Sequence, residues 1–369
     1  RKSKMINGKK ICVVVPAYNE EKQIQIVIKQ MPDFVDRIVI VNDNSTDNTA
    51  EIVKQFIRNE LSEKLIIQKR DDKVEDSAYN YADLIIKEMN EKELGMFEES
   101  SVFNENAESD RIVLINNHKN SGVGSSIARG YKWAKDHQID CTAVMAGDAQ
   151  MDPNELESIC LPVVNGEVDY VKGNRLIHRS AWLVIPRIRY LGNSLLSIFT
   201  KIASGYWKIS DTQTGFTAIS LKALESIKLY KIYKRYGMPN DILVKLNIAY
   251  CTLKEVEIKP VYKVGEKSKM KIFSVIPKIS LLLIKLFFER LWVKYLFRDF
   301  HPLFLLYHMA ILLFLIDIPY IVKVIQAIIT NTNLNFEPLF AFIFLSISSF
   351  QSLLFAMWMD IQDNERLYK

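Results

Sequence analysis

The chain has 369 residues, of which 49% are hydrophobic and 25% are charged, and its formal net charge at pH 7 is +5. This length and composition are typical of a globular protein with one large domain and an appendage, and they exclude a disordered chain. The basic residues come without aromatic–basic interleaving or a recognition motif, so we expect no nucleic-acid partner. The four cysteines lack CxxC spacing and are predicted to be reduced thiols of a cytoplasmic domain. No long apolar segment follows the basic residues 1–10, so no secretory signal peptide is expected.

Apolar runs that end in polar residues alternate with helical patterns over residues 11–148. This order predicts a doubly wound α/β fold, a mostly parallel sheet with flanking helices. Polar residues at the carboxyl ends of its strands are expected to face one crevice. The predicted strands are 11–20, 36–45, 64–71, 111–117 and 140–148, and the predicted helices are 21–31, 46–56 and 122–136.

An acidic segment interrupts this alternation between residues 71 and 110, where thirteen acidic side chains accompany three basic ones. Residues 77–94 have the pattern of one helix, whereas residues 97–110 show no regular pattern and are predicted to be mobile. We interpret 71–110 as a solvated surface insertion in a first domain that spans residues 1–262.

The character of the chain changes after residue 260, with nine basic and two acidic side chains between residues 263 and 298. A basic segment just before apolar helices indicates an anionic membrane surface. Its charges fall on two opposite helical faces, Lys278, Lys285 and Glu289 on one and Arg290, Lys294 and Arg298 on the other. We predict that residues 263–300 form a basic loop and two short interfacial amphipathic helices, or one helix with a break.

Two apolar segments within residues 301–369, namely 303–322 and 339–359, are each long enough to cross a bilayer. Positive charge collects before the first one, which predicts a multi-pass cell-membrane protein whose first domain and C-terminal tail are cytoplasmic. Asp317 lies inside the first span, where a carboxylate is costly. Its place near the far end favours an interface or inter-subunit contact over a proton path, and the sequence is compatible with a homo-oligomer.

Four short motifs at strand ends or helix starts carry the chemically informative residues. "VVPAYNE" ends the first strand, "VNDNSTD" ends the second, "NSGVGSS" opens a helix, and "MAGDAQ" ends a later strand. Each motif alone is weak or moderate evidence for a ligand site. All four in this order, on a parallel-sheet pattern, are specific.

Together these motifs resemble the nucleotide-sugar domain of family 2 glycosyltransferases, which has the GT-A (Rossmann-like) fold, over most of residues 10–260. The closer likeness is to polyprenyl-phosphate glycosyltransferases such as dolichol-phosphate mannose synthase. It rests on "KGNR" (172–175), "RIRYLGN" (187–193), "DTQTGF" (211–216) and "GEKSKM" (265–270). The resemblance implies a membrane-bound, inverting enzyme that moves a sugar from a UDP- or GDP-hexose to undecaprenyl or dolichyl phosphate.

The resemblance assigns the donor nucleotide to Pro16, Ala17, Tyr18, Glu20, Asp43, Asp47, Gly122 and Gly124. It also implies Mg²⁺ or Mn²⁺ on Asp148 and Gln150, because a departing diphosphate needs a cation that neutralises its growing charge. Many members of the family carry an Asp where this chain has Ala146. Either Asp43 or a water compensates for that carboxylate, or the metal affinity is lower.

A polyprenyl phosphate is already ionised near neutral pH, so its site needs cationic side chains rather than a general base. By resemblance, the acceptor phosphate binds Arg175, Arg189, Asn193, Lys267 and Lys269. Asp241 occupies the general-base position of relatives that act on hydroxyl groups, and its role weakens to positioning when the acceptor is a phosphate. Asp211 completes the predicted catalytic set by orienting the acceptor loop.

Two alternatives remain open from the sequence. A processive polysaccharide synthase would share the nucleotide domain, but this chain has no QxxRW motif and only two predicted spans. A non-catalytic membrane scaffold with a retained nucleotide pocket is supported only by Ala146.

Overall fold

A computed structural model describes residues 6–60, 65–70, 77, 79–261, 272–333 and 335–369, with the backbone alone described for 188, 189 and 272–276. Eight strands form one sheet. They are β1 (Ile11–Ala17), β2 (Arg37–Asn42), β3 (Ser100–Val102), β4 (Ile112–Asn117), β5 (Cys141–Val144), β6 (Tyr170–Asn174), β7 (Thr217–Ser220) and β8 (Leu253–Glu257). Their order across the sheet is β3-β4-β2-β1-β5-β7-β6-β8.

The sheet is mixed but mostly parallel. β1 pairs with β2 and β5, β2 with β4, and β6 with β8 in parallel, whereas β7 runs antiparallel to both neighbours and β3 antiparallel to β4. The helices that accompany the sheet are α1 (Ile24–Gln30), α2 (Thr49–Arg58), α3 (Tyr81–Glu93), α4 (Val123–Asp136), α5 (Leu156–Val164), α6 (Ala181–Val184), α7 (Arg187–Ser204), α8 (Leu221–Ser226) and α9 (Met238–Ile248). The predicted α/β fold is confirmed.

Two apolar layers cover the two faces of the sheet, because successive side chains along a strand point to opposite faces. In β1, Val14 lies in the layer that contains Tyr131 of α4, and Val13 lies in the layer that contains Leu156 of α5. A strand that is buried on both faces has no polar face, which explains the unbroken apolar run at residues 11–15.

Two expectations for the chain between β2 and β4 are wrong. Residues 65–70 form no strand; Ile67 is nevertheless buried, and its amide donates to the Glu108 carbonyl at 2.8 Å. The segment expected to be mobile contains β3, which extends the sheet beside β4. α3 forms as predicted, and Glu93 at its end lies 3.4 Å from the buried Lys132 of α4. The described part of the acidic insertion thus lies on the surface, with α3 largely exposed and attached to α4 at its end.

Three long helices follow the sheet: α10 (Ile272–Trp292), α11 (Pro302–Thr330) and α12 (Phe336–Glu365). α10 continues into a π-helical turn, Val293–Arg298. Of the two predicted arrangements, the described part of the interfacial segment therefore has the single helix, whose regular geometry is interrupted at Val293. α11 and α12 pack along each other as a hairpin, and each is long and apolar enough to cross a membrane. Both extend beyond the predicted spans.

Polar contacts join α11 to α12 within the hairpin and join the hairpin to the sheet. Asp317 of α11 is buried and accepts a hydrogen bond from Ser346 Oγ of α12 at 2.5 Å. It therefore makes a contact within the hairpin, and the expected inter-subunit contact stays a prediction. At the end of the chain, the Leu253 amide of β8 donates to the Leu367 carbonyl at 2.7 Å. The Tyr250 hydroxyl, between α9 and β8, donates to Asp299 just before α11, so both ends of the hairpin adjoin the sheet domain.

Candidate active site

The carboxyl ends of β1, β2 and β5 meet at one edge of the sheet, as their parallel order requires. Pro16 is in register with Val41, and the Gly147 amide donates to the Pro16 carbonyl at 3.2 Å. A Cβ on Gly147 would lie 3.2 Å from that oxygen, so the glycine allows the turn after β5 to pack against β1. Three of the four predicted motifs are therefore adjacent.

Asp43, at the end of β2, is enclosed by the loop that follows β4. Its Oδ1 accepts hydrogen bonds from Asn117 Nδ2 and the Ser121 amide, both at 2.9 Å, and its Oδ2 accepts from the Gly122 amide at 2.8 Å. The side chain is almost fully buried. These donors hold the carboxylate against the loop, which argues against Asp43 as the replacement for the carboxylate missing at Ala146. Contact between Asp43 and a nucleotide base stays a prediction.

Gly122 and Gly124 allow a close approach between backbone segments. Gly122 has φ +95°, and a Cβ there would lie 2.6 Å from the Lys234 carbonyl oxygen. A Cβ on Gly124 would lie 2.1 Å from the Tyr233 carbonyl oxygen. The segment before α9 thus packs so closely that a side chain at either position would clash with its backbone. The predicted approach of a ligand is not needed to explain these glycines.

The other predicted donor residues surround the end of β1. Tyr18 lies at the edge of the crevice with 36% of its surface exposed, and the Ala17 carbonyl accepts from the Asp43 amide at 2.9 Å. The Glu20 amide donates to Thr49 Oγ1 at 2.8 Å. Tyr18 is therefore partly accessible to solvent, whereas Ala17 and the Glu20 backbone help to build the crevice.

Asp47 has a structural partner for each oxygen. Its Oδ1 accepts from the Thr49 amide at 3.0 Å and from Thr49 Oγ1 at 2.5 Å, and its Oδ2 accepts from the Glu21 amide at 3.2 Å. Burial on its own raises the pKa of Asp47, but these hydrogen bonds outweigh it and lower that pKa. This carboxylate ties the loop after β1 to the first residue of α2, so the predicted contact with the donor is not required to explain it.

The turn after β5 opens into a cavity of about 110 Å³. Asp148 and Gln150 line it together with Arg175, and the Gln150 amide donates to Asp148 Oδ1 at 3.1 Å. The remaining lining residues are Met151, Asp152, Glu155, Thr214, Gly215, Phe216, Ile258, Lys259 and Val261. The predicted metal residues and one predicted acceptor residue thus face the same space.

Sequence reasoning missed Glu155, whose only signal was its place shortly after "MAGDAQ". Its Oε1 accepts from the Lys259 amide at 2.9 Å, and its Oε2 is buried without a hydrogen-bond partner among the described residues. Burial raises the pKa of Glu155. The cavity therefore contains a carboxyl group that is easier to protonate than an ordinary glutamate.

The donor set at Asp148 and Gln150 fits a metal that is held mainly by its substrate. In the part of the chain that is described, no group of three or more His, Cys, Asp or Glu side chains is arranged to hold a metal ion. Carboxylate and amide oxygens are nevertheless ligands that Mg²⁺ and Mn²⁺ accept, and Mg²⁺ usually keeps waters and phosphate oxygens as its other ligands.

Arg175 is fixed in the cavity by Asp211. Arg175 Nε donates to Asp211 Oδ2 at 2.8 Å and Arg175 Nη2 donates to Asp211 Oδ1 at 3.1 Å, which is a bidentate pair. Asp211 is fully buried and also accepts from the Gln213 amide at 3.2 Å. Burial favours a raised pKa for Asp211, but Arg175 outweighs it and lowers that pKa. Asp211 thus orients Arg175 and does not line the cavity itself.

Lys172 of β6 is a second buried cation beside this pair. Its Nζ donates to the Thr214 carbonyl at 2.6 Å. Burial lowers the pKa of Lys172 to about 8, although the negative charge of Asp211 opposes the shift. The "KGNR" motif therefore contributes one buried lysine behind the cavity and one arginine inside it.

Asp241 serves the segment before α9. Its Oδ2 accepts from the Tyr233 amide at 2.8 Å, and its Oδ1 forms an ion pair with Lys245. Asp241 is not among the residues that line the cavity. Its geometry agrees with the positioning role and argues against a general base.

The remaining predicted acceptor residues are only partly placed. Asn193 is half-buried in α7, and Arg189 belongs to the same helix, although its side chain is outside the description. Lys267 and Lys269 lie outside the described residues.

A family described as "Glycosyl transferase family 2" matches residues 12–81 and 100–228, which is more than half of the chain. The chain belongs to glycosyl transferase family 2. This confirms the predicted enzyme class, a glycosyltransferase. The unmatched residues 82–99 contain most of α3.

This family 2 glycosyltransferase is similar to several known proteins. The UDP-N-acetylglucosamine–dolichyl-phosphate N-acetylglucosaminyltransferase of Methanococcus voltae is 28% identical over 260 residues, 69% of this chain and 86% of that protein. A dolichyl-phosphate beta-glucosyltransferase of Trichomonas vaginalis is 23% identical over 299 residues, 76% of this chain and 74% of that protein. Glucosyl-3-phosphoglycerate synthase from Mycobacterium tuberculosis, crystallised with Mn²⁺ and UDP, aligns with a TM-score of 0.46 and 16% identity over 77% of this chain and 80% of that chain.

Proposed function

We propose that this glycosyltransferase moves a sugar from a nucleoside diphosphate hexose to a polyprenyl phosphate at a membrane surface. The observation that carries the proposal is that Asp148, Gln150 and Arg175 line one cavity together, with Arg175 held by a buried carboxylate. An acidic turn suits a metal-bound diphosphate, and a fixed guanidinium suits a second phosphate. The similarity to two enzymes named for dolichyl phosphate supports the same acceptor class.

The residues of the cavity would have different roles in an inverting transfer. Asp148 and Gln150 would hold Mg²⁺ or Mn²⁺, which neutralises negative charge on a departing diphosphate. Arg175, oriented by Asp211, would bind the acceptor phosphate. An oxygen of that phosphate attacks the anomeric carbon as the bond to the diphosphate breaks. Because this oxygen is already ionised, the step needs no general base, in agreement with the pairing of Asp241 and Lys245.

We propose that the hairpin α11–α12 spans a cell membrane with the sheet domain on the cytoplasmic side. Both ends of the hairpin adjoin the sheet domain, as two spans require. The neighbouring helices α7 and α10 present an apolar surface that suits the lipid interface. Its exposed side chains include Leu191, Leu195, Ile198, Phe199, Leu281 and Ile284.

The test measures label transfer by the full chain in membranes. Radiolabelled UDP- and GDP-hexoses are supplied with dolichyl or undecaprenyl phosphate and Mg²⁺ or Mn²⁺. Label in an organic-soluble, mild-acid-labile lipid supports the proposal. Label in an insoluble polymer indicates a processive synthase, and no transfer from any donor indicates a scaffold. UDP-N-acetylglucosamine is the first donor to test, because it is named for the relative from Methanococcus voltae.

Asp148→Asn supplies the matched test of the metal assignment. We expect transfer to fall at least about 100-fold, because the metal loses the charged one of its two predicted ligands. Glu167→Gln, which alters an exposed ion pair with Lys254, is the control and is expected to transfer normally. Near-normal turnover of Asp148→Asn in folded protein would remove Asp148 from the metal site.

A further inference from the structure

A buried arginine near the end of α10 connects three helices from distant parts of the chain. Arg290 is fully buried, and its guanidinium donates to the carbonyls of Ile202 and Ala203 in the last turn of α7 at 3.0 and 2.9 Å. It also donates to both carboxylate oxygens of Asp360 in α12 at 2.7 Å. A cation is favourable at a helix C-terminus, and the carboxylate contact is bidentate. We call Arg290 and Asp360, with the two carbonyl groups, the helix clasp.

Asp360 has further partners on the side of the membrane hairpin. It is fully buried and accepts hydrogen bonds from the hydroxyl groups of Tyr295 and Tyr307 at 3.2 and 3.3 Å and from Asn364 Nδ2 at 2.7 Å. Gly205 ends α7 with φ +77°, and a Cβ there would lie 2.7 Å from Arg290 Nη1. Buried ionic groups that are fully hydrogen-bonded favour one arrangement of the elements that carry them.

Helix α7 extends from the clasp to the loop that carries Asp211. One turn and a half before the clasp, Ser197 Oγ lies 3.1 Å from Thr212 Oγ1 and accepts from the Thr212 amide at 3.3 Å. Thr212 follows Asp211, the residue that fixes Arg175 in the cavity. The first half of α7 carries Asn193. A shift of α7 along its axis would therefore move Asn193 and strain the contact that supports Arg175.

We propose that Arg290 and Asp360 are positioning residues for the lipid acceptor. The clasp fixes the position of α7 relative to the hairpin along the membrane normal. The hairpin in turn sets how deeply the enzyme lies in the bilayer. Arg175 and Asn193 then meet the acceptor phosphate at the level of the lipid headgroups. The inference rests on the proposed transfer to a polyprenyl phosphate; the clasp itself is independent of it. Arg290 belongs to a run of basic residues that the sequence indicated for the membrane surface, and its burial removes it from that surface.

The experiment uses the full chain in lipid nanodiscs and compares Asp360→Asn, the milder Tyr307→Phe, and the control Glu365→Gln. Glu365 joins α12 to Lys208 through an exposed ion pair at 2.7 Å, so it links the same parts of the chain without the clasp. Steady-state kinetics give KM separately for polyprenyl phosphate and for the nucleotide sugar. Backbone hydrogen exchange reports the opening of residues 200–205 independently of activity.

We expect Asp360→Asn to raise KM for polyprenyl phosphate at least about tenfold and to leave KM for the nucleotide sugar within about twofold, because misplacement acts on the acceptor alone. Tyr307→Phe is expected to do the same to a smaller extent, with faster exchange at residues 200–205 in both variants and no change in Glu365→Gln. Equal changes in both KM values and kcat, or no change in folded variants, would overturn the proposal. If the wild type transfers no sugar to lipid, the proposed function fails, and unchanged exchange in Asp360→Asn would separately refute the clasp.

Discussion

Asp211→Asn tests whether a buried carboxylate holds Arg175 in place. The substitution keeps the shape of the side chain but removes its charge and turns an amide NH₂ toward the guanidinium. Asp211 is fully buried, and 24% of the Arg175 side chain is exposed. Breaking a buried ion pair on one side costs roughly 3–5 kcal/mol, and the partial exposure of Arg175 reduces this to about 2–3 kcal/mol. The Arg175 amide donates to Asp211 Oδ2 and the Gln213 amide to Oδ1, so the single asparagine oxygen keeps an acceptor for only one of them.

The assay combines unfolding of the full chain in detergent with steady-state transfer kinetics. We expect a loss of about 2–3 kcal/mol in the free energy of unfolding and a fall of about 100-fold in kcat/KM for polyprenyl phosphate, because the guanidinium leaves its fixed orientation. Glu167→Gln removes an exposed carboxylate from an ion pair with Lys254 and is expected to cost less than about 1 kcal/mol. A free energy of unfolding within 1 kcal/mol of the wild type, with unchanged kinetics for the lipid, would refute the reasoning.

Three further substitutions test other parts of the site. In urea unfolding, Gly124→Ala is expected to cost at least about 2 kcal/mol of stability, because its Cβ would meet the Tyr233 carbonyl oxygen at 2.1 Å. The control Gly192→Ala, with no atom within 4 Å of its Cβ, is expected to be neutral or stabilising. Burial lowers the pKa of Lys172 from 10.5 to about 8, so between these values the unfolded chain binds the extra proton and stability rises with pH by up to about 3 kcal/mol. Lys172→Met is expected to lose that rise when unfolding is measured from pH 7 to 11, and parallel curves would contradict it. Ala146→Asp is expected to lower the Mn²⁺ concentration for half-maximal transfer, because it adds a carboxylate beside the predicted metal ligands; an unchanged requirement would place residue 146 outside the metal site.

The chain between β2 and β4 illustrates why local patterns mislead where a segment meets the sheet edge. Residues 64–71 have the apolar composition of a strand, yet the described part of that segment forms none and uses Ile67 to fill the core. β3 is short and largely exposed, so it shows no apolar alternation, and it is a strand because β4 offers an unpaired edge. Strand formation at an edge depends on the partner more than on the segment.

The sequence by itself determined the alternation of strands and helices, the place of the strand-end motifs and the two apolar helices, because hydrophobic periodicity and segment length are local properties. It also determined that Asp148 and Gln150 share one turn. Only the tertiary structure decided that Asp43 is enclosed by the loop after β4, that Asp211 locks Arg175, and that Arg290 is buried between α7 and α12. In each case the partner lies far along the chain, and charge alone does not tell a buried ion pair from a solvated one.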